Sequence, residues 1–139
     1  TGYAATELGD LGFMPTDPAA LSSELARRGL AMIGAYVPVR LRDRSAHQPG
    51  IAQALTVARL LAAVTTVESR PGPFVVLADD CGTDPVRTAH AGRATPEMAL
   101  TDEEFATFAA GVEAVARAVR DDTGLPLVFH PHSAGFVET

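Results

Sequence analysis

The chain has 139 residues, 47% of them apolar and 20% charged, with a net charge of −6. That is enough chain for one domain with a sizeable core, and it excludes intrinsic disorder. The acidic balance argues against a nucleic-acid binder. A single cysteine, Cys81, excludes an internal disulfide framework and a cysteine-rich zinc site. No run of 18 apolar residues and no signal peptide are visible, so a soluble cytoplasmic protein without a membrane partner is expected. All 11 basic residues are arginine, which excludes Schiff-base chemistry and a P-loop lysine within this stretch.

In chain order, Ala4 to Leu8 reads as a short buried strand ending at Gly9. Asp17 before Pro18 is a helix start, a side-chain cap followed by a proline in the first turn. Leu21 and Leu25 give that helix an apolar face, and Gly29 ends it. Leu30 to Val37 is a near-continuous apolar run, as in strands buried on both faces, and Pro38 closes it. Val39 to Pro49 reads as a polar loop with Arg40, Arg42, Arg44 and His47. Ile51 to Val64 has helical spacing of its apolar residues.

Pro71-Gly72-Pro73 breaks the chain before a third apolar run, Phe74 to Ala78, which ends in Asp79-Asp80-Cys81-Gly82. Thr83 to Leu100 reads as a long polar loop. Thr101 with Glu104 is a capping-box pattern, and a helix runs from there through Arg120 to a stop at Gly124. Leu125 to Phe129 is the fourth apolar run, terminating in His130-Pro131-His132. Strands alternating with helices predict a parallel sheet with right-handed crossovers. Either an open doubly wound sheet or part of a (β/α)8 barrel satisfies that order. Four strands with no closing helix favour the barrel fragment, since a whole barrel needs about 250 residues.

In parallel α/β proteins chemistry sits at the C-terminal ends of the strands, and polar residues concentrate there. These are Glu7 after the first strand, Arg40 and Arg42 after the second, Asp79, Asp80 and Cys81 after the third, and His130 and His132 after the fourth. Two histidines two apart on a strand face one side, within reach of a shared ion or substrate. Glu138 is a candidate ligand or general base, or else an acidic residue in the first turn of a helix capped by Thr139. Glu7 is either a substrate-facing carboxylate or half of a buried ion pair. One of Asp79 and Asp80 faces the pocket and the other caps the turn through Gly82. Cys81 reads as an incidental thiol, and His47 and His90 as solvent-facing loop residues. No GxGxxG, Walker A, HExxH or GxSxG pattern is present.

Tyr3-Ala-Ala-Thr-Glu-Leu-Gly9, Gly12-Phe-Met-Pro-Thr-Asp17 and Phe129-His-Pro-His-Ser-Ala-Gly-Phe-Val-Glu-Thr139 resemble the inosose dehydratase branch of the sugar-phosphate isomerase/epimerase family. Val75-Val-Leu-Ala-Asp79 and Ala91-Gly-Arg93 are also similar. These are xylose isomerase-like TIM barrels, and the resemblance covers about the second to fifth strands, so residues 1–139 are expected to be a partial barrel truncated at both ends. The resemblance implies a divalent metal (Mn2+ or Co2+, with Mg2+ or Zn2+ as alternatives) and a polyol or keto-sugar substrate. It implies proton abstraction next to a carbonyl and loss of water, with keto-sugar isomerisation or epimerisation as the alternative. His130 stands where many relatives place a glutamate ligand, so His130 and Glu138 are the expected metal ligands. His132 and Glu138 are the expected catalytic residues, and Glu7, His132, Arg40 and Asp80 the expected substrate contacts. The piece alone is expected to be inactive. Homo-oligomerisation stays open, as does the reading as a complete small doubly wound ligand-binding domain.

Overall fold

A computed structural model describes residues 2–65 and 72–138. Thr1, Pro71 of the chain break and the Thr139 cap lie outside the described residues. The chain order is β1 (Ala5–Glu7), α1 (Pro18–Arg28), β2 (Ala31–Val39), α2 (His47–Val64), β3 (Phe74–Asp79), α3 (Pro85–Ala89), α4 (Asp102–Thr123) and β4 (Leu127–His130). The four strands form one parallel sheet in the order β1-β2-β3-β4. A doubly wound sheet reverses its order at a switch point. This one does not reverse among the described residues. With right-handed crossovers, an unreversed order stacks the helices on one face, and α2 packs against both α1 and α4.

The helix ends follow their signals. Asp17 accepts from Ala20 N at 2.9 Å, and Gly29 closes α1 at φ 62°. Thr101 and Glu104 form the reciprocal capping box of α4, and Gly124 closes it at φ 72°. Each side-chain cap stabilises its helix by about 1 kcal/mol. Between the sheet and the helices lies the core: Val37 and Val39 from β2, Val75 and Leu77 from β3, Leu61 from α2, and Val115 and Val119 from α4.

Several boundaries differ from the sequence reading. Pro38 does not close β2 but sits inside it. The Val39 carbonyl points to β3, where it accepts from Asp80 N. Position 38 therefore turns its missing N–H to the other side, beyond the last pairing with β1 at Gly34. Helix α2 begins at His47, four residues early. A 3-10 turn, Arg44–Ala46, capped by Asp43, runs directly into it. Pro49 is harmless there, because first-turn N–H groups have no partner within the helix. His47 is not a solvent-facing loop residue: it is buried and donates from Nε2 to the Leu41 carbonyl at 2.8 Å. The long loop after β3 contains α3 and a 3-10 turn, Pro96–Met98. Asp84-Pro85 starts α3 by the same device as Asp17-Pro18, accepting from Val86 N and Arg87 N. A five-residue helix is too short to show a period. His90 is exposed, as expected.

Candidate functional site

The residues with chemistry at the C-terminal end of the sheet fall into two neighbouring groups. The first lies on the sheet face away from the helices. The ladder aligns Pro38 with Ala78 and His130, and Tyr36 with Val76 and Val128. Phe129, of opposite parity, packs on Phe108 of α4, so Val128 and His130 look to the helix-free face. There the His130 and His132 rings lie 5.6 Å apart, and the Tyr36 ring lies 6.3 Å from His132. The Tyr36 hydroxyl is 3.9 Å from Cys81 Sγ. Burial, with the Cys81 thiol next in weight, pushes the Tyr36 phenol up to about 12. It is therefore a neutral donor at ordinary pH.

His132 Nδ1 donates to the Ser133 carbonyl at 2.9 Å. A carbonyl can only accept, so a neutral His132 carries its lone pair on Nε2. That nitrogen is available as a ligand or a base. Glu7 ends β1 and is exposed. The buried ion-pair reading of Glu7 is therefore excluded, and among the described residues it forms no ion pair.

The second group lies on the side of α3. A cavity of about 350 Å3 is lined by Arg40, Arg42, Asp79, Asp80, Thr83, Asp84, Pro85 and Phe136. Arg40 lies 3.9 Å from Asp80 and from Asp43. Arg42 stacks over the Phe136 ring at 4.0 Å and lies 4.0 Å from Asp84 and Glu104. Arg40 and Asp80, both expected substrate contacts, thus share one cavity wall. Asp80 is the more accessible of the acidic pair. Asp79 is buried, and its carboxylate accepts from Asp80 N at 3.0 Å and Phe136 N at 2.9 Å. Both aspartates line the cavity, and Asp79 ties the end of β3 to the segment after β4.

That segment, residues 131–138, is held down by a buried cation that the sequence reading missed. Arg87 of α3 donates Nε and Nη2 to the Gly135 carbonyl and Nη1 to the Met98 carbonyl. Its guanidinium lies 3.9 Å from Glu138. Both Glu138 oxygens accept from backbone amides, Ala134 N at 2.8 Å and Gly92 N at 3.1 Å. Glu138 is therefore engaged as a tether between the α3 loop and the chain end. This leaves the two imidazoles as nitrogen donors for an ion. Among the described residues, no group of three or more His, Cys, Asp and Glu is arranged to hold a metal. None of the described helices is long and apolar enough to cross a membrane. Asp84 in front of Pro85 was a legible helix start, but Arg87's acceptors lie 11 and 48 residues away, so no local signal could reveal its burial.

No protein-family model matches the chain, and no curated protein matches it.

Proposed function

We propose that the chain forms part of a (β/α)8 barrel enzyme, a metal-dependent lyase of polyols or keto sugars. The reaction is proton removal next to a carbonyl followed by loss of water. Isomerisation or epimerisation of a keto sugar is the second reading within the same chemistry. The observation that carries it is the pairing of His130 with His132, beside the Tyr36 phenol, at the C-terminal end of a sheet whose strands run in chain order.

In this reading His132 takes or returns a proton at Nε2, since its Nδ1 is held by Ser133. Tyr36 donates a hydrogen bond to a substrate oxygen, staying neutral because its phenol is pushed up. Arg40 and Asp80 hold vicinal hydroxyls, the guanidinium donating and the carboxylate accepting. His130 would hold a divalent ion, which when bound polarises the substrate carbonyl and leaves His132 Nε2 to handle the proton. Glu138 serves by fixing the segment that carries His132. The alternative, a small doubly wound domain holding magnesium between Asp79 and Asp80, fits less well. The Asp79 carboxylate is buried and already accepts from two amides.

Paramagnetic Mn2+ titrated into the chain and followed by NMR separates these readings. Broadening of the His130 and His132 ring signals is expected. Broadening centred on Asp80, with the imidazoles sharp, favours the small-domain reading. No broadening at either place sinks the metal-dependent reading.

A further inference from the structure

Two cavities meet at one aromatic ring. The first is the cavity of about 350 Å3 that holds Arg40 and Asp80. The second, of about 510 Å3, lies between the loop 92–100, the start of α4 and the segment after β4. Its polar lining includes Arg93, Thr95 and Asp102. Among the described residues, Phe136 alone lines both. Small-molecule sites span about 300–1,000 Å3, so the first cavity by itself suits a small ligand.

The ring is held in place as a wall. Phe136 N donates to the buried Asp79 carboxylate at 2.9 Å. Just before it, the Gly135 carbonyl accepts from the buried Arg87. A Cβ at position 135 would lie 3.0 Å from the His132 carbonyl oxygen and 3.5 Å from Asp79 Cβ, so glycine lets this backbone sit close against β3. Arg42, from the lining of the first cavity, stacks over the Phe136 ring at 4.0 Å. The guanidinium of Arg87, from the lining of the second, lies 5.2 Å from the ring centroid. Both are cation–π distances. An unheld side chain at such a border would swing between rotamers within nanoseconds. This one is fixed through its backbone and by a cation from each cavity.

We propose that Phe136 is a specificity-determining residue: its ring ends the first cavity and rejects a substrate that carries a second sugar unit beyond that point. The rejection is steric. The ring yields only by giving up its contacts with Arg42 and Arg87 and its seat beside Asp79, and a clash with the larger ligand is a sufficient basis for discrimination. With the ring removed, the two cavities run together. The second cavity then receives the added sugar, whose hydroxyls meet Arg93, Thr95 and Asp102. The inference rests on the polyol and keto-sugar reading of the site and adds to it the residue that sets the length of the substrate.

Saturation-transfer NMR on the full-length protein tests this, with fructose and isomaltulose (the same ketose carrying a glucosyl unit) as the two ligands. The unaltered protein should bind fructose about tenfold more tightly, or better. Phe136→Ala should bring the two affinities within about threefold, chiefly by tightening isomaltulose. Phe136→Leu keeps an apolar side chain at the position should the alanine variant fold poorly, and it should narrow the preference part of the way. Equal binding of the two sugars by the unaltered protein overturns the inference while leaving the keto-sugar reading intact, and that comparison needs no variant. An unchanged preference in folded Phe136→Ala or Phe136→Leu also overturns it. Binding of neither sugar by the unaltered protein sinks the keto-sugar reading itself, and the inference falls with it.

Discussion

Replacing Arg87 by Met tests the reading of the segment after β4. The methionine stem keeps most of the packing, while three charge-assisted bonds to carbonyls disappear. The Gly135 and Met98 carbonyls lose these donors, and Glu138 loses the cation 3.9 Å away. Hydrogen bonds to charged groups contribute about 1.5–3 kcal/mol each. Breaking a buried ion pair by removing one partner costs about 3–5 kcal/mol. The losses overlap, since Nε and Nη2 share one acceptor, so a total of about 3–4 kcal/mol is expected. A domain of this size is stable by only about 5–15 kcal/mol. Urea unfolding should therefore show a large fall in midpoint at unchanged slope. Arg87→Lys should recover less than half, because an ammonium cannot span the Gly135 and Met98 carbonyls with a planar fork. The His132 ring signals should shift in both variants, since His132 N bonds to the Val137 carbonyl within the held segment. A loss below 1 kcal/mol with unmoved His132 signals would refute the tether.

Two further changes probe other parts of the structure. Gly111→Ala puts a methyl 2.6 Å from His47 Nε2, a ring fixed by its bond to Leu41. A net loss of about 1–2 kcal/mol is expected despite the helix preference for alanine, and in a His47→Ala background the loss should vanish. Stabilisation by Gly111→Ala alone would show the packing to be wrong. In a Tyr3→Phe chain, phenolate absorbance should report Tyr36 ionising at about 12 rather than its ordinary value of 10.0. The unfolded chain releases that proton first, so the stability linked to Tyr36 is complete below about pH 10 and is lost between there and about 12. Titration at about pH 10 would mean the phenol is open to water.

The features readable in the sequence were those whose cause lies within a few residues. Asp17-Pro18 and Gly29 bracket α1, Thr101, Glu104 and Gly124 bracket α4, and the apolar runs supply four strands, because caps and periods are local. The alternation of strands and helices then fixed a parallel sheet. Its unreversed order is a tertiary fact that no local pattern carries. The candidate site was legible as a set of strand-end residues, and His130 and His132 are indeed neighbours. What was illegible is which polar groups are buried. Arg87 and His47 look like ordinary surface residues in sequence, Asp79 like a strand-end candidate, and the partners that bury them come from elsewhere in the chain. Glu138 was singled out as a ligand or base, and its bond to the Gly92 amide, 46 residues away, has no local signal.

The unreversed order of strands also shapes how the molecule opens. Among the described residues each strand touches only its neighbours in the chain, so the central pair β2 and β3, under α2, is supported from both sides, whereas β1 and β4 have one flank each. Opening should spread inward from the ends as separable units, much as in linear repeat arrays. Amide exchange would then be slowest at Val37 and Leu77 and fastest along β1, which only three residues hold in the sheet. A ligand gripped between His132 and Arg40 would bridge the central and outer units and slow the outer one most.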